Sequence, residues 1–148
     1  CTHDFNGGFL KGVDELMEEI GYLEAQDGVT FSGGDPFYQP EACAKLAECV
    51  KNNNMNVWCY TGFTFERLLK MCESNSAIMD FLNNIDILVD GKFIMSKHSY
   101  NLKFRGSSNQ RIIDVQESLK KGYVVLALVD EVELNINNGR CYKERLYV

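Results

Sequence analysis

Four short stretches of this 148-residue chain combine glycine with charged, hydroxyl or amide side chains. They are Ser32-Gly33-Gly34-Asp35, Thr61-Gly62, Asp90-Gly91-Lys92 and Arg105-Gly106-Ser107-Ser108-Asn109-Gln110. The paired glycines let backbone approach a small molecule closely, because no Cβ stands in the way. Asp35 and Asp90 bring negative charge, suited to an ammonium group or to ribose hydroxyls. Lys92 and Arg105 supply cations able to hold a carboxylate. A ligand carrying an amine, a carboxylate and a ribose is consistent with that inventory.

The elements between these stretches have to position them. Val13, Leu16, Met17, Ile20 and Leu23 follow helical spacing, with Asp14 and Glu15 favourably placed in a first turn. Val29 to Ser32 reads as a short strand that runs into the glycine pair. Pro40 suits the first turn of a second helix, whose buried stripe is Cys43, Leu46, Ala47 and Val50 and whose end is Asn52-Asn53-Asn54. Asn56 to Tyr60 is a second strand delivering Thr61-Gly62. A helix beginning near Thr64 buries Phe65, Leu68, Leu69 and Cys72, and a short one follows over Ala77 to Leu82. Ile85 to Val89 is a third, nearly all-apolar strand ending at Asp90-Gly91-Lys92.

Residues 94–110 form a long polar connection, of a length that in compact domains is usually functional. Ile112-Ile113 is a brief strand, Val115 to Lys121 a helical turn or two, and Tyr123 to Val129 a strand. Val132, Leu134 and Ile136 alternate ahead of Asn138-Gly139 and the return from Cys141 to Val148, the pattern of a β-hairpin. Apolar strands joined by helices imply a parallel sheet covered by helices. Ligands of such sheets bind beyond the carboxyl ends of the strands, so the first three loops should converge on one site.

Bulk properties narrow the class. The length fits one domain, residues 1–148. The net charge is −6, and the basic residues are scattered, with Lys120-Lys121 the densest grouping. That balance offers no footprint for nucleic acid or an anionic membrane. Tyr123 to Val129, the longest strongly apolar run, is far short of a membrane span. Of the six cysteines, Cys43, Cys49 and Cys72 fall on or beside apolar helix faces and Cys59 within an apolar strand. No C-x-x-C pair occurs. This is the pattern of free thiols in a reduced, cytoplasmic protein rather than of disulfides or a zinc site.

Ser32-Gly33-Gly34-Asp35-Pro36 resembles the SGGDP form of a segment that binds the amino group of S-adenosylmethionine (SAM) in radical SAM enzymes. It stands in order with Asp4-Phe5-Asn6-Gly7-Gly8, Tyr60-Thr61-Gly62, Leu88-Val89-Asp90-Gly91-Lys92-Phe93 and Arg105 to Gln110. Over about residues 3–116 this ordered set resembles the activating proteins of anaerobic ribonucleoside-triphosphate reductase, and it is far more specific than any one member. The resemblance implies an α/β fold, a shortened and open (β/α) barrel, here with the C-terminal hairpin. It implies a [4Fe–4S] cluster that passes an electron to SAM, giving a 5′-deoxyadenosyl radical that takes hydrogen from a glycine of the reductase large subunit. Flavodoxin or a similar donor would supply the electron. Ser32, Gly33, Gly34, Asp35, Thr61, Asp90, Lys92, Arg105, Ser107 and Asn109 would bind SAM.

One departure stands out. The family ligates its cluster with a C-x3-C-x2-C run just ahead of D-F-N-G-G, and three thiolates are needed so that the fourth iron stays open to SAM. Only Cys1 lies there, separated from Asp4 by two residues. The expectation is that the first strand and the cluster loop are missing upstream, with Cys1 the one candidate metal ligand. Plainer readings exist for single residues: a tight turn at Gly33-Gly34, a helix cap at Thr61, a strand-end turn at Asp90, an ordinary surface lysine at Lys92. His3 and His98 have no partner at ligand spacing, and Tyr142 to Arg145 read as a solvated edge. Two other functions compete: a radical SAM activase of the pyruvate formate-lyase type, and a non-catalytic SAM-binding domain without a cluster.

Overall fold

A computed structural model describes residues 10–22 and 26–128. Five strands form one open sheet in chain order: β1 (Gly28–Phe31), β2 (Asn56–Tyr60), β3 (Ile87–Asp90), β4 (Arg111–Asp114) and β5 (Val125–Leu126). β1, β2 and β3 pair in parallel, whereas β4 and β5 add on antiparallel. The helices are α1 (Val13–Tyr22), α2 (Pro40–Asn52), α3 (Phe65–Met71), α4 (Ala77–Leu82) and α5 (Val115–Lys121). The described part is therefore a mixed α/β fold.

Local chemistry explains the boundaries. Pro40 opens α2 where its missing N–H has no intrahelical partner to lose, and Asn54 continues the chain in the left-handed region (φ 57°) just past the helix end. Thr64 and Asp114 cap α3 and α5 by accepting from the backbone N–H groups of Arg67 and Glu117. Gly122, at φ 74°, ends α5 and donates its N–H to the Ser118 carbonyl. The side-chain amide of Gln116 donates to the carbonyls of Asn83 (3.1 Å) and Ile85 (2.7 Å), groups left over where α4 ends.

The core lies between one face of the sheet and the helices. Phe31, Val57, Cys59, Leu88 and Ile113 meet Ala47 and Val50 of α2, Phe65 and Leu68 of α3, and Phe81 and Leu82 of α4. Phe81 packs against Phe31 and Phe37 at ring separations of 5.1 and 5.0 Å. Each such fully buried side chain stabilises the fold by roughly 1.5–3 kcal/mol. At the amino ends of the strands, Asp86 accepts the Val57 N–H (2.7 Å) and the Lys51 ammonium (2.6 Å), tying α2 to β2 and β3. On the other face, Trp58 packs against Phe104 (5.4 Å), and the Tyr60 hydroxyl donates to the Phe104 carbonyl (2.9 Å). Residues past β3 thus cross that face.

Several elements differ from the sequence reading. β1 starts and ends one residue earlier than Val29 to Ser32. β3 starts at Ile87, because Ile85 belongs to the buried turn after α4. The strand expected over Tyr123 to Val129 is Val125–Leu126 within the described residues. Residues 94–110 are not featureless: Met95–Lys97 is a 3₁₀ turn, and His98 bridges to Ser107. A second 3₁₀ turn, Pro36–Tyr38, follows the glycine pair. The expected hairpin after Val132, along with Cys1, His3 and Asp4 to Gly8, lies outside the described residues.

Gly28 sits where β1 begins opposite Asn56, and a Cβ there would collide with the Asn56 backbone carbonyl and side chain. Gly28→Ala is expected to lower stability by about 1–3 kcal/mol through overpacking against backbone, measured by urea unfolding.

Candidate functional site

The loops at the carboxyl ends of β1, β2 and β3 are stitched together by named side chains. Asp35, just after the glycine pair, accepts the Phe37 N–H (3.2 Å) and so caps the 3₁₀ turn. The same carboxylate accepts the Thr61 hydroxyl (3.0 Å to each oxygen) and the Gly62 N–H (2.8 Å). Thr61 is buried, and its N–H donates to the Val89 carbonyl (3.0 Å). Ser32, Gly33 and Gly34, which lead into Asp35, stay exposed. Gly33 holds φ 102°, a conformation that favours glycine, and no atom lies within 4 Å of where a Cβ on Gly33 or Gly34 would stand.

The next loop is fixed by a charge inside the protein. Asp90, only 1% exposed at the end of β3, accepts the Phe65 N–H at 2.8 Å. It also accepts Nε of Arg111 at 3.0 Å and makes a second, shorter contact with Nη2. The guanidinium continues outward to both oxygens of Glu66, at 2.9 and 2.8 Å. These hydrogen bonds hold the Glu66 carboxyl down at about 2, and the two carboxylates, Asp90 first, push the Arg111 pKa up. Gly91, at φ 95°, donates its N–H to the Phe63 carbonyl (2.9 Å).

The fourth stretch is folded around Gln110. Its side-chain oxygen accepts the N–H groups of Gly106 (2.9 Å) and Ser107 (3.1 Å), and its amide donates to the Gly91 carbonyl (3.0 Å). Arg105 donates to the Gln110 carbonyl at 2.7 Å. Asn109 donates to the Lys92 carbonyl at 2.8 Å, which fixes the orientation of its amide. The amide oxygen of Asn109 is buried and has no hydrogen-bond partner.

The expected residues therefore fall into two groups. Ser32, Gly33, Gly34, Lys92, Arg105 and Asn109 lie on the loop surfaces, while Asp35, Thr61, Asp90 and Ser107 join the loops behind them. Ser107 is fully buried with its hydroxyl accepting the Ile94 N–H, and Asp90 is enclosed by Arg111 and Phe65. Sequence reasoning missed the roles of Gln110, Arg111 and Glu66. A buried acid at the end of an apolar strand needs a cation, which is the one signal that pointed to Arg111. A groove of about 1030 Å³ lies elsewhere, at the amino ends of the strands between Asp27, Asn56, Asp86 and Leu128. Among the described residues no group of His, Cys, Asp and Glu could hold a metal ion, and no helix is long and apolar enough to cross a membrane.

The Glu66 carboxyl sits below its ordinary value in the folded chain, so the Glu66–Arg111 contribution is complete above about pH 4.5 and is lost as pH falls toward 2. Glu66→Gln is expected to flatten the loss of stability between pH 5 and 3, checked by urea unfolding at each pH. Asp90→Asn should cost about 2–4 kcal/mol at neutral pH, because it strips the charge opposite Arg111 from a buried position.

Comparison with known proteins gives a consistent answer. A family model described as a 4Fe-4S single cluster domain matches residues 2–113. The anaerobic ribonucleoside-triphosphate reductase-activating protein of Vibrio cholerae is 37% identical, with 76% of this chain and 81% of that protein covered. The proteins of the same name from Haemophilus influenzae (32%; 76% and 81% covered) and Escherichia coli K12 (34%; 74% and 80% covered) are similar too. No solved structure matches. At these identities and coverages, and with the motif order carried on linked loops, the chain belongs to the family of anaerobic ribonucleoside-triphosphate reductase-activating proteins.

Proposed function

We propose that this chain is a radical SAM oxidoreductase that activates the large subunit of anaerobic ribonucleotide reductase in the cytoplasm, with flavodoxin or a similar low-potential protein as electron donor. The observation that carries the reading is the exposed Ser32-Gly33-Gly34 backbone leading directly into Asp35, which is fixed by Thr61 and Gly62, in a chain whose relatives bear the activating-protein name. The sheet would be part of a shortened, open (β/α) barrel forming a single domain; three parallel strands with helices on one face are compatible with it. When bound, a [4Fe–4S] cluster and SAM supply reductive cleavage of the sulfonium, with the radical ending on a glycine of the reductase.

The residues present suit SAM. The open backbone at Ser32, Gly33 and Gly34 would take the methionine ammonium, with the Asp35 charge close beneath it. Lys92 and Arg105 would hold the carboxylate. Asn109 offers a buried acceptor that lacks a donor, which a ligand N–H or O–H would satisfy. Thr61, Asp90 and Ser107 would act by holding the loops in place. The described residues do not suit the cluster. Burial pushes the thiols of Cys43, Cys59 and Cys72 up, against the thiolate form that binds iron, and these cysteines belong to separate elements of the core. Cys1 stays a proposed ligand from its place in the sequence, and no step is assigned to the described residues through iron.

Gly34→Val tests the SAM surface without disturbing the fold, since nothing stands within 4 Å of the new Cβ. It should weaken SAM binding by about tenfold or more, measured by calorimetry, with an unchanged melting temperature. Unaltered affinity would overturn the site. Reductant-dependent release of 5′-deoxyadenosine from anaerobically reconstituted full-length protein tests the reaction itself. SAM binding without that product would make the chain a SAM-binding domain instead.

A further inference from the structure

The charge of this chain is unevenly placed. Its net −6 divides into +5 on residues 91–113 and −11 on the remainder. The 91–113 segment holds Lys92, Lys97, Lys103, Arg105 and Arg111 and not one acid. Counting cations along the sequence hides this island, because the cations are spaced out and only the absence of Asp and Glu around them sets it apart. Arg111 is engaged by Asp90 and Glu66, whereas Lys92, Lys97 and Lys103 are exposed and in no ion pair among the described residues.

The same segment presents large apolar side chains to solvent. Met95 is 75% exposed, Tyr100 94%, Phe93 45% and Phe104 43%. Phe93, His98 and Tyr100 form an edge-to-face row with ring centroids 5.8 and 4.6 Å apart. Yet the backbone beneath is tied down. The Ile94 N–H donates to the Ser107 hydroxyl, the Ser108 N–H to the Lys97 carbonyl, and the Tyr60 hydroxyl to the Phe104 carbonyl. Phe104 itself is held at φ 58°, a conformation a bulky residue adopts only where its surroundings impose it. Exposed aromatic and Met side chains on a fixed backbone, among cations and without acids, have the composition of an interface core rather than of ordinary surface.

We infer that residues 92–104 are a docking surface for an acidic face of a protein partner. Resting on the function proposed above, that partner is the reductase subunit that receives the radical. The charge on the island attracts an acidic protein face, and the exposed aromatic and Met side chains suit the apolar core of a protein interface. The surface is joined to the Arg105 to Gln110 stretch through Lys92, whose carbonyl is held by Asn109.

The test uses the full-length reconstituted protein and two variants outside the proposed SAM site, Lys97→Glu/Lys103→Glu and Tyr100→Ala. Affinity for the purified reductase large subunit is measured at several salt concentrations, and 5′-deoxyadenosine formation is measured with no reductase present. Each variant should bind the reductase about tenfold more weakly, as loss of an interface anchor does. The double charge reversal should also flatten the salt dependence, and uncoupled 5′-deoxyadenosine formation should be unchanged for both. Reductase binding that both variants retain would overturn the docking surface even where wild-type SAM cleavage is intact. Wild-type reductase binding that both variants weaken, without any SAM cleavage, would uphold the surface and remove the catalytic reading. A loss confined to a single-stranded DNA probe, or to self-association of the chain, would overturn the assignment to the reductase.

Discussion

Asp90 is the charged side chain that the described structure encloses completely, and the site depends on how that charge is compensated. An unpaired carboxylate in the core would cost several kcal/mol and would protonate instead. Here it receives one backbone N–H from the start of α3 and two N–H groups from Arg111. Asp90 and Arg111 are direct partners across the antiparallel β3–β4 pair. A slip of one residue would turn Arg111 to the other face of the sheet and leave Asp90 bare. The carboxylate therefore selects a register as well as a contact, and the register decides where the Arg105 to Gln110 stretch begins its path.

From that point the order spreads through backbone groups of neighbouring loops. The Val89 carbonyl takes the Thr61 N–H, the Phe63 carbonyl takes the Gly91 N–H, and the Gly91 carbonyl takes the Gln110 amide. Asp35 closes the other end by binding Thr61 and Gly62. Four loops from different elements become one body, whose polar groups are largely satisfied by each other. What stays open is the glycine pair, the Lys92 side chain and one buried amide oxygen at Asn109. A surface prepared in this way loses little entropy when a ligand arrives, because its geometry is set beforehand.

Much of this was legible from residue types and spacing. Apolar periodicity marked α2, β2 and α5 because each has a capping or breaking residue at its boundary: Pro40, Asn54, Asp114 or Gly122. The convergence of the three strand-end loops followed from parallel pairing alone. Less legible was what a polar residue does once buried. Asp90 and Ser107 looked like ligand contacts, since an acid and a hydroxyl in glycine-rich loops are equally suited to a ligand or to a neighbouring backbone N–H. The structural use of Asp90 shows only in the β3–β4 register, which brings Arg111 opposite it, and that of Ser107 in its bond to Ile94; both are long-range properties that no local pattern encodes. The fold of residues 94–110 was hidden for a similar reason: its bonds run to Tyr60, Ser107 and Gln110 rather than along a repeat.

The cysteines show how the same physics divides labour within the chain. A thiol binds iron as thiolate, and charge is favoured where water or cations can stabilise it. Cys59 is enclosed in β2 with the Asp35 charge nearby, so burial first and that like charge second hold its proton on. Cys43 and Cys72 are raised by burial as well. Their small apolar volume serves the packing of helices on the sheet, and moving them into a common loop would open cavities in the core that positions the loops. Packing and iron ligation thus place opposite demands on a cysteine. In the described part of this protein packing prevails, and the task left to it is to hold a rigid, glycine-lined surface in place.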